Sequence, residues 1–407
     1  MDFIKRTRYM DILKKFKDKQ LIKVVSGVRR CGKSTLLSLF CSYLKQKGVA
    51  DERIVFINFE DIKYELLTEY HALYDYISSL LIPEPDKMNY VFLDEIQHVP
   101  QFEKAVDSLF IKGNVDIYIT GSNAWFMSGE LATLLAGRYI EIGMLPLSFA
   151  EYCEGSAPIY ATREKKSLNE RFSDYLSFSS FPYALKFDMD RQGVGEYLRG
   201  IYNTVLLKDV VSRQKISDVS MLESVARFIF DNVGNPLSTT KIANTMTSMG
   251  RKIDLRTVEK YIKGLTDSLI LYKADRYNIK GKQHLATLSK YYAVDAGLRY
   301  AILGYSGSDI GHMLENAVYL ELRRRGGEVY VGQSQGAEVD FVVIGKRDRA
   351  YYQAAATVRE KATLDRELHA LRQIKDNYPK YILTLDEDPD DDYDGIKKIN
   401  ALRWMLG

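Results

Sequence analysis

An α/β protein built on a parallel sheet is predicted by three stretches of this 407-residue chain. Leu21–Val25 has the composition of a buried strand; it runs into a glycine-bounded turn, Gly27–Gly32, and then into an apolar helix containing Leu36, Leu37, Leu39 and Phe40. Tyr90–Leu93 is a second apolar run, closed by Asp94 and Glu95. Asp116–Thr120 is a third, closed by Gly121, Ser122 and Asn123. Short apolar runs of this kind suit strands covered on both faces, and the carboxyl ends of parallel strands open on one shared crevice.

The turn after the first run satisfies G-x-x-x-x-G-K-[ST] at every position: Gly27–Val28–Arg29–Arg30–Cys31–Gly32–Lys33–Ser34. Gly27 and Gly32 permit a loop whose backbone N–H groups point at phosphate oxygens, and the following helix adds its positive N-terminal end. Lys33 is placed to reach β- and γ-phosphates, and the Ser34 hydroxyl can take one position on Mg²⁺. Arg29, Arg30, Cys31 and Thr35 complete the expected nucleotide-binding set; whether the arginines meet phosphate or pack against the acidic strand stays open. ATP and Mg²⁺ are the expected ligands. Asp94 would hold Mg²⁺ through water, and Glu95 would polarise a water attacking the γ-phosphate. A water-activating glutamate points to hydrolysis rather than transfer to a second substrate.

Ser122 or Asn123 can orient that water from the neighbouring strand end, and the sequence does not choose between them. Arg138 follows a helical stretch ending at Gly137 and precedes a strand, Tyr139–Ile142. It can stabilise charge on the transferred phosphoryl group, in its own subunit or a neighbour's, or simply close a helix as a C-terminal cation.

Composition narrows the frame. Hydrophobic residues at 46% and charged residues at 27% describe a soluble protein of two or three domains, and a net charge of +3 argues for no particular partner. Three cysteines make neither a disulfide framework nor a zinc site, so the expected home is the cytoplasm. The N-terminus lacks the apolar core of a signal peptide, and no apolar run approaches the ~20 residues of a membrane span.

The remaining elements follow in order. Residues 1–20 read as a basic amphipathic helix, solvated or touching a nucleotide base. Arg53–Asn58 is a strand, and Tyr70–Leu81 a helix stopped by Pro83 and Pro85. Residues 149–211 are mostly helical. Met221–Phe230, Thr239–Met246 behind Ser238, and Leu255–Leu265 behind Asp254 are three helices. Ser268–Lys273 and Asp275–Ile279 read as a short strand pair, which completes the order of a winged helix-turn-helix. Its third helix and approach carry Arg251, Lys252, Arg256, Lys260 and Lys263, suited either to DNA phosphates or to an ordinary solvated face.

Beyond residue 286 the pattern is a helix, Ile310–Arg325, with Glu315, then strands including Glu338–Val343 and Ala350–Val358, then a helix near Leu364–Tyr378. Period-2 spacing sets Glu338 and Asp340 on one strand face, where they can share a cation. The acidic run Asp386–Asp394 reads as a solvated loop.

Gly-Val-Arg-Arg-Cys-Gly-Lys-Ser-Thr, Phe-Leu-Asp-Glu-Ile-Gln, Ile-Thr-Gly-Ser-Asn, Ala-Gly-Arg-Tyr and Leu-Pro-Leu-Ser-Phe occur in that order, followed by Thr204–Asp209, Lys290–Leu298 and Glu338–Phe341. On these segments the chain resembles, over nearly its whole length, the prokaryotic AAA-type (AAA+) P-loop ATPases with a C-terminal domain of unknown function. The resemblance implies an ATPase domain over residues 1–148, a helical lid over 149–215, a winged-helix-like segment over 216–285 and a degenerate restriction-endonuclease-like domain over 286–407. That nuclease pattern wants a carboxylate and a lysine two apart where this chain has Gln353–Ala354–Ala355, so recognition without cleavage is expected of the last segment. Two functions fit: an ATPase in a homo-oligomer that acts on duplex or branched DNA through residues 216–285, or a slow nucleotide-controlled switch working through protein contacts.

Overall fold

The apolar runs become a five-stranded parallel sheet. The computed structural model describes residues 4–121, 135, 137–161, 166–304, 309–334, 336–346 and 348–407, and divides into two compact units, Met1–Met144 and Leu145–Gly407. In the first unit β1 (Ile22–Gly27), β2 (Ile54–Asn58), β3 (Asn89–Asp94), β4 (Val115–Thr120) and β5 (Tyr139–Met144) lie in the order β2–β3–β4–β1–β5. Every pairing is parallel.

β1, β3 and β4 are buried along their whole length, which is why their sequences are near-continuous apolar runs rather than alternating ones. Helices α1 (Thr7–Phe16), α2 (Lys33–Gln46), α3 (Tyr70–Leu80) and α4 (Phe102–Phe110) accompany the sheet. Leu73 and Ile77 of α3 and Val106 and Leu109 of α4 share one core with Ile57, Leu93 and Ile117 of the strands. Among the polar residues buried in these strands are Lys23 and Asp116, an ion pair with no solvent exposure on either side chain. Such a pair persists only when its remaining valences are filled. Here Lys23 also donates to the Lys19 carbonyl, and Asp116 accepts from the Asp18 N–H and the Tyr118 hydroxyl. Burial lowers the Lys23 pKa and raises that of Asp116, each opposed by the other's charge.

The second unit begins with helices α5 (Phe149–Ala161), α6 (Leu168–Phe178) and α7 (Arg191–Thr204), the last continuing into a π-helical stretch, Val205–Val211. Ser167 and Glu170 form a reciprocal capping box on α6, and Asp190 caps α7. Three more helices, α8 (Val219–Asp231), α9 (Thr239–Ser248) and α10 (Leu255–Asp267), follow, with Ser238 and Asp254 capping the last two as expected.

The strand pair expected next differs from what the chain does. β7 (Leu271–Asn278) is one continuous strand, and its partner is β8 (Gln283–Ala293), which runs through residue 285. At the break expected between Lys273 and Asp275 the register only shifts, between Ala274 and Arg276, a bulge rather than a reversal. Nor does the hairpin stand as a free wing. With the two-residue β6 (Pro236–Leu237) it joins β9 (Glu328–Ser334), β10 (Ala337–Ile344), β11 (Arg349–Ala355), β12 (Lys380–Thr384), β13 (Asp391–Tyr393) and β14 (Ile396–Asn400) in one sheet. Its order is β13–β14–β12–β11–β10–β9–β7–β8–β6.

Helices α11 (Ala296–Leu303), α12 (Ile310–Arg325), α13 (Lys361–Arg372) and α14 (Ala401–Leu406) complete the unit. α13 covers one sheet face through Leu368 and Leu371, packed with Val339, Val342, Tyr351 and Ile382. The region read as a lid is built into this unit. Asp295, buried ahead of α11, accepts the N–H and the hydroxyl of Ser180, both at 2.6 Å. The acidic run is solvated over most of its acids but is not all loop. Asp386 is buried and takes hydrogen bonds from Thr357, Val358 and Thr384, while Asp391 and Asp392 lie in β13 opposite Lys398 and Lys397. Among the described residues no helix is long and apolar enough to cross a membrane.

Candidate functional site

β1 ends at the phosphate-loop glycine because nothing larger fits there. A Cβ on Gly27 would stand 2.4 Å from the Met144 carbonyl oxygen of β5 and 2.8 Å from the Cys31 sulfur. Gly32, at φ +103°, takes a left-handed backbone that glycine adopts without steric cost, and α2 starts immediately after it. The loop therefore points the first turn of α2 into the crevice at the strand ends. Lys33 is nearly buried; its ammonium donates to the Gly27 carbonyl at 3.1 Å and lies 3.7 Å from Glu95 Oε1. Ser34 is exposed and Thr35 half-buried on the same turn. Arg29 is half-buried and Arg30 exposed, the latter at φ +67°. Cys31 is buried, and burial pushes its thiol pKa up, so it is no ready nucleophile.

Across the crevice, β3 delivers Asp94 and Glu95. Asp94 is fully buried; one carboxylate oxygen accepts from the Thr120 hydroxyl, and Oδ2 has no hydrogen-bond partner. Burial raises its pKa, opposed first by the Thr120 hydroxyl and then by the nearby Ser34 side chain. An orphaned buried carboxylate oxygen costs about 1–3 kcal/mol or more and asks for a cation. Magnesium suits this donor set. It takes hard oxygen ligands, keeps several waters and shares phosphate oxygens, so one hydroxyl and one carboxylate suffice from the protein. Among the described residues no group of three His, Cys, Asp or Glu is arranged around a metal position.

Glu95 sits in the left-handed region at φ +57°, uncommon and mildly strained for a side chain of this size. Two contacts hold it there. Its N–H donates to Thr120 Oγ1 at 3.0 Å, and its Oε2 accepts from Gln97 Nε2 at 2.5 Å. Thr120 thus bridges both acidic residues, giving its proton to Asp94 and accepting from the Glu95 amide. Neither Thr120 nor Gln97 is assigned a role by the sequence, although both fall inside the motifs Ile-Thr-Gly-Ser-Asn and Phe-Leu-Asp-Glu-Ile-Gln that carry the resemblance.

Ser122 and Asn123 lie outside the described residues. Arg138 is placed, and far from the loop. Its carbonyl accepts from the Ile22 N–H at the start of β1, whereas the phosphate loop leaves the far end of that strand, roughly 17 Å away at the usual strand rise. Its guanidinium lies 3.7 Å from Asp107 and over the Phe110 ring. Arg138 therefore does not reach the phosphate site of its own subunit.

The second unit holds another cluster of acids. Glu338 and Asp340 share one face of β10 as their spacing suggests, and Glu315 from α12 joins them, but around a lysine. Lys290 of β8 lies 3.0 Å from Glu315, 2.8 Å from Glu338 and 3.9 Å from Asp340. The Tyr292 hydroxyl donates to Glu315 at 2.7 Å. Burial alone would lower the Lys290 pKa; Glu315, Asp340 and Glu338 outweigh it and raise it. Asp340 is pushed well above the usual carboxylate range by burial and by Glu315, with Lys290 pulling the other way. Gln353 is spent internally: its carbonyl oxygen accepts from the Asp340 N–H, and its amide donates to Glu367.

A glycine-bounded phosphate loop on β1, facing an Asp–Glu pair on β3 of a parallel sheet, defines a P-loop protein of the AAA type. Residues 19–153 match the family model described as an AAA domain, and residues 169–309 match a domain of unknown function, DUF8612. The chain is 38% identical, over 99% of its length, to an uncharacterized protein of Haemophilus influenzae, of which it covers 98%, and it belongs to that protein's family. It is 29% identical to the uncharacterized protein MJ1544 of Methanocaldococcus jannaschii, over 93% of this chain and 84% of that one. Among solved structures, the Walker-type ATPase PABY2304 of Pyrococcus abyssi is similar over 74% of this chain and 96% of its own, at 16% identity and a TM-score of 0.47.

Proposed function

We propose that the first unit binds ATP with Mg²⁺ and hydrolyses it, and that residues 216–285 couple this to DNA. The observation that carries the reading is the convergence of Lys33, Ser34, Asp94 and Glu95 on one crevice, with Asp94 Oδ2 unpartnered. In this mechanism the loop amides and Lys33 hold the β- and γ-phosphates, Lys33 exchanging its Gly27 contact for them. Ser34 and Asp94 would hold the Mg²⁺, which when bound offsets phosphate charge. Glu95, fixed by Thr120 and Gln97, orients the attacking water and accepts its proton. Ser122 or Asn123 aids that orientation. We read 149–215 as the lid and the last segment, 286–407, as a recognition fold that does not cut; Lys290 saturating its acids and the internal bonding of Gln353 support this.

The test is ATP turnover by wild type and Glu95→Gln, with and without duplex and branched DNA. We expect Glu95→Gln to keep ATP affinity and lose about 10²–10⁴-fold in kcat. Unchanged turnover would remove Glu95 as the base. Arg138, remote from its own loop, would act on a neighbouring subunit; mixing Arg138→Ala with Lys33→Ala chains should then restore some turnover, and no rescue in a monomeric protein ends that assignment.

A second reading, the slow switch, is favoured by what the basic residues do. The Arg251 guanidinium is bound to Ser220 and Ser224 of α8, and the exposed Lys263 pairs with Asp267, beside the exposed Lys252, Arg256 and Lys260. If DNA is the partner, Arg256→Ala with Lys260→Ala should flatten the log–log salt dependence of binding by about two units. Absence of DNA affinity at low salt hands the segment to a protein partner.

A further inference from the structure

Arg6 precedes α1 and is almost fully buried, at 4% exposure, although arginine is seldom buried without a specific partner. Its backbone is left-handed, φ 48° and ψ 46°, and its side chain makes no capping bond to the helix it precedes. Instead the guanidinium lies over the Tyr9 ring, 4.9 Å from its centroid, and donates from one terminal nitrogen to the Cys31 carbonyl at 3.1 Å. Cys31 is the fourth residue inside the phosphate loop. A trans peptide is planar, with its C=O and the next N–H on opposite sides. A Cys31 carbonyl held toward Arg6 therefore turns the Gly32 N–H the other way, and a cation on the oxygen makes that N–H a stronger donor.

We propose that Arg6 is a positioning residue of the nucleotide site, which sets the Gly32 amide toward the phosphates through the Cys31 carbonyl. The proposal rests on the reading of this site as an ATP site. Arg6 touches no phosphate itself; it fixes the peptide that does. The unusual Arg6 backbone follows from the same task, because the chain must turn before α1 for the side chain to reach back under the loop. Tyr9, in the first turn of α1 and buried, backs the guanidinium.

The experiment compares wild type, Arg6→Ala and Arg6→Lys in fluorescent-ATP binding, steady-state turnover and thermal unfolding without nucleotide. Arg6→Ala should bind ATP about tenfold more weakly, the scale of one charge-assisted hydrogen bond. Its kcat at saturating ATP should stay within about twofold, since Glu95, Thr120 and Asp94 are untouched. Arg6→Lys, which keeps the charge without the planar fork, should recover part of the affinity. Wild-type affinity in Arg6→Ala, even with a lowered melting temperature, would make Arg6 a structural clasp and overturn the proposal, as would a loss confined to kcat. If Arg6→Ala does not fold, Arg6→Gln is judged by the same criteria. A wild type that binds no ATP defeats the ATP reading, whereas ATP binding that is indifferent to Arg6 defeats only this assignment.

Discussion

Besides the Lys23–Asp116 pair, two nearly buried lysines sit among carboxylates, Lys33 in the first unit and Lys290 in the second, and they are held in opposite ways. Lys33 has a single carbonyl at 3.1 Å and one glutamate oxygen at 3.7 Å, beyond good hydrogen-bond distance. Lys290 has two carboxylates at 3.0 Å or less and a third at 3.9 Å. An ammonium has three donors. At Lys33 most of that capacity is open to an incoming anion; at Lys290 it is consumed. The same side chain, equally buried, is therefore a binding group in one place and a cross-link in the other. The difference lies in how many acids the fold brings within reach.

The contrast breaks most visibly when each lysine is removed. Lys33→Ala should lower ATP affinity on the order of 100-fold, the scale of several charged hydrogen bonds, with little change in unfolding free energy. Lys290→Ala should do the reverse, costing about 3–5 kcal/mol of stability because it strands buried carboxylates, while ATP affinity stays put. Nucleotide titration and chemical denaturation of both variants check this; an affinity loss in Lys290→Ala would abolish the distinction. Thr120→Val sharpens the first half. It removes one hydroxyl from between Asp94 and Glu95, so the Mg²⁺ needed for half-maximal turnover should rise about tenfold and kcat should fall, with Thr120→Ser restoring both. Equal behaviour of the valine and serine variants would reduce Thr120 to packing.

A further test concerns pH and the second cluster. The Asp340 carboxyl is raised from 3.8 to about 8 by burial and by Glu315. Between those values the folded chain binds a proton that the unfolded chain has lost, so this residue makes stability fall as pH rises from about 4 to about 8. Asp340→Asn should remove that part of the slope. Denaturation midpoints at pH 5 and pH 8 for both proteins give the answer, and parallel pH profiles would refute it.

What could be read from the sequence was what local chain geometry determines. The loop Gly27–Ser34 and the strand-end acids Asp94 and Glu95 carry their chemistry in consecutive residues, and the parallel sheet follows from where they sit. Thr120 could not be assigned, because its role is a contact with residues 25 and 26 positions earlier. Lys290 was hidden for the same reason, lying 25 positions ahead of Glu315 in a different element. Arg138 looked suited to phosphate because it follows a glycine and precedes a strand, but that local pattern does not say which end of the sheet it occupies. The β7 bulge misled in the opposite sense, since Lys273, Asp275 and Arg276 interrupt the apolar residues as a turn would. Buried aspartates such as Asp386 resemble solvated ones until the hydroxyls that pair with them, here Thr357 and Thr384, are brought in by the fold.

The close approach at Gly27 bears on more than its own backbone. The atom that excludes a side chain there is the carbonyl oxygen of Met144, the last residue of β5 and of the first unit. The phosphate loop thus rests against the peptide through which the chain departs for its remaining residues. A methyl added at residue 27 would have to displace that carbonyl or the Cys31 sulfur, so the closing turn of the loop and the last peptide of β5 fit only around a residue with no side chain.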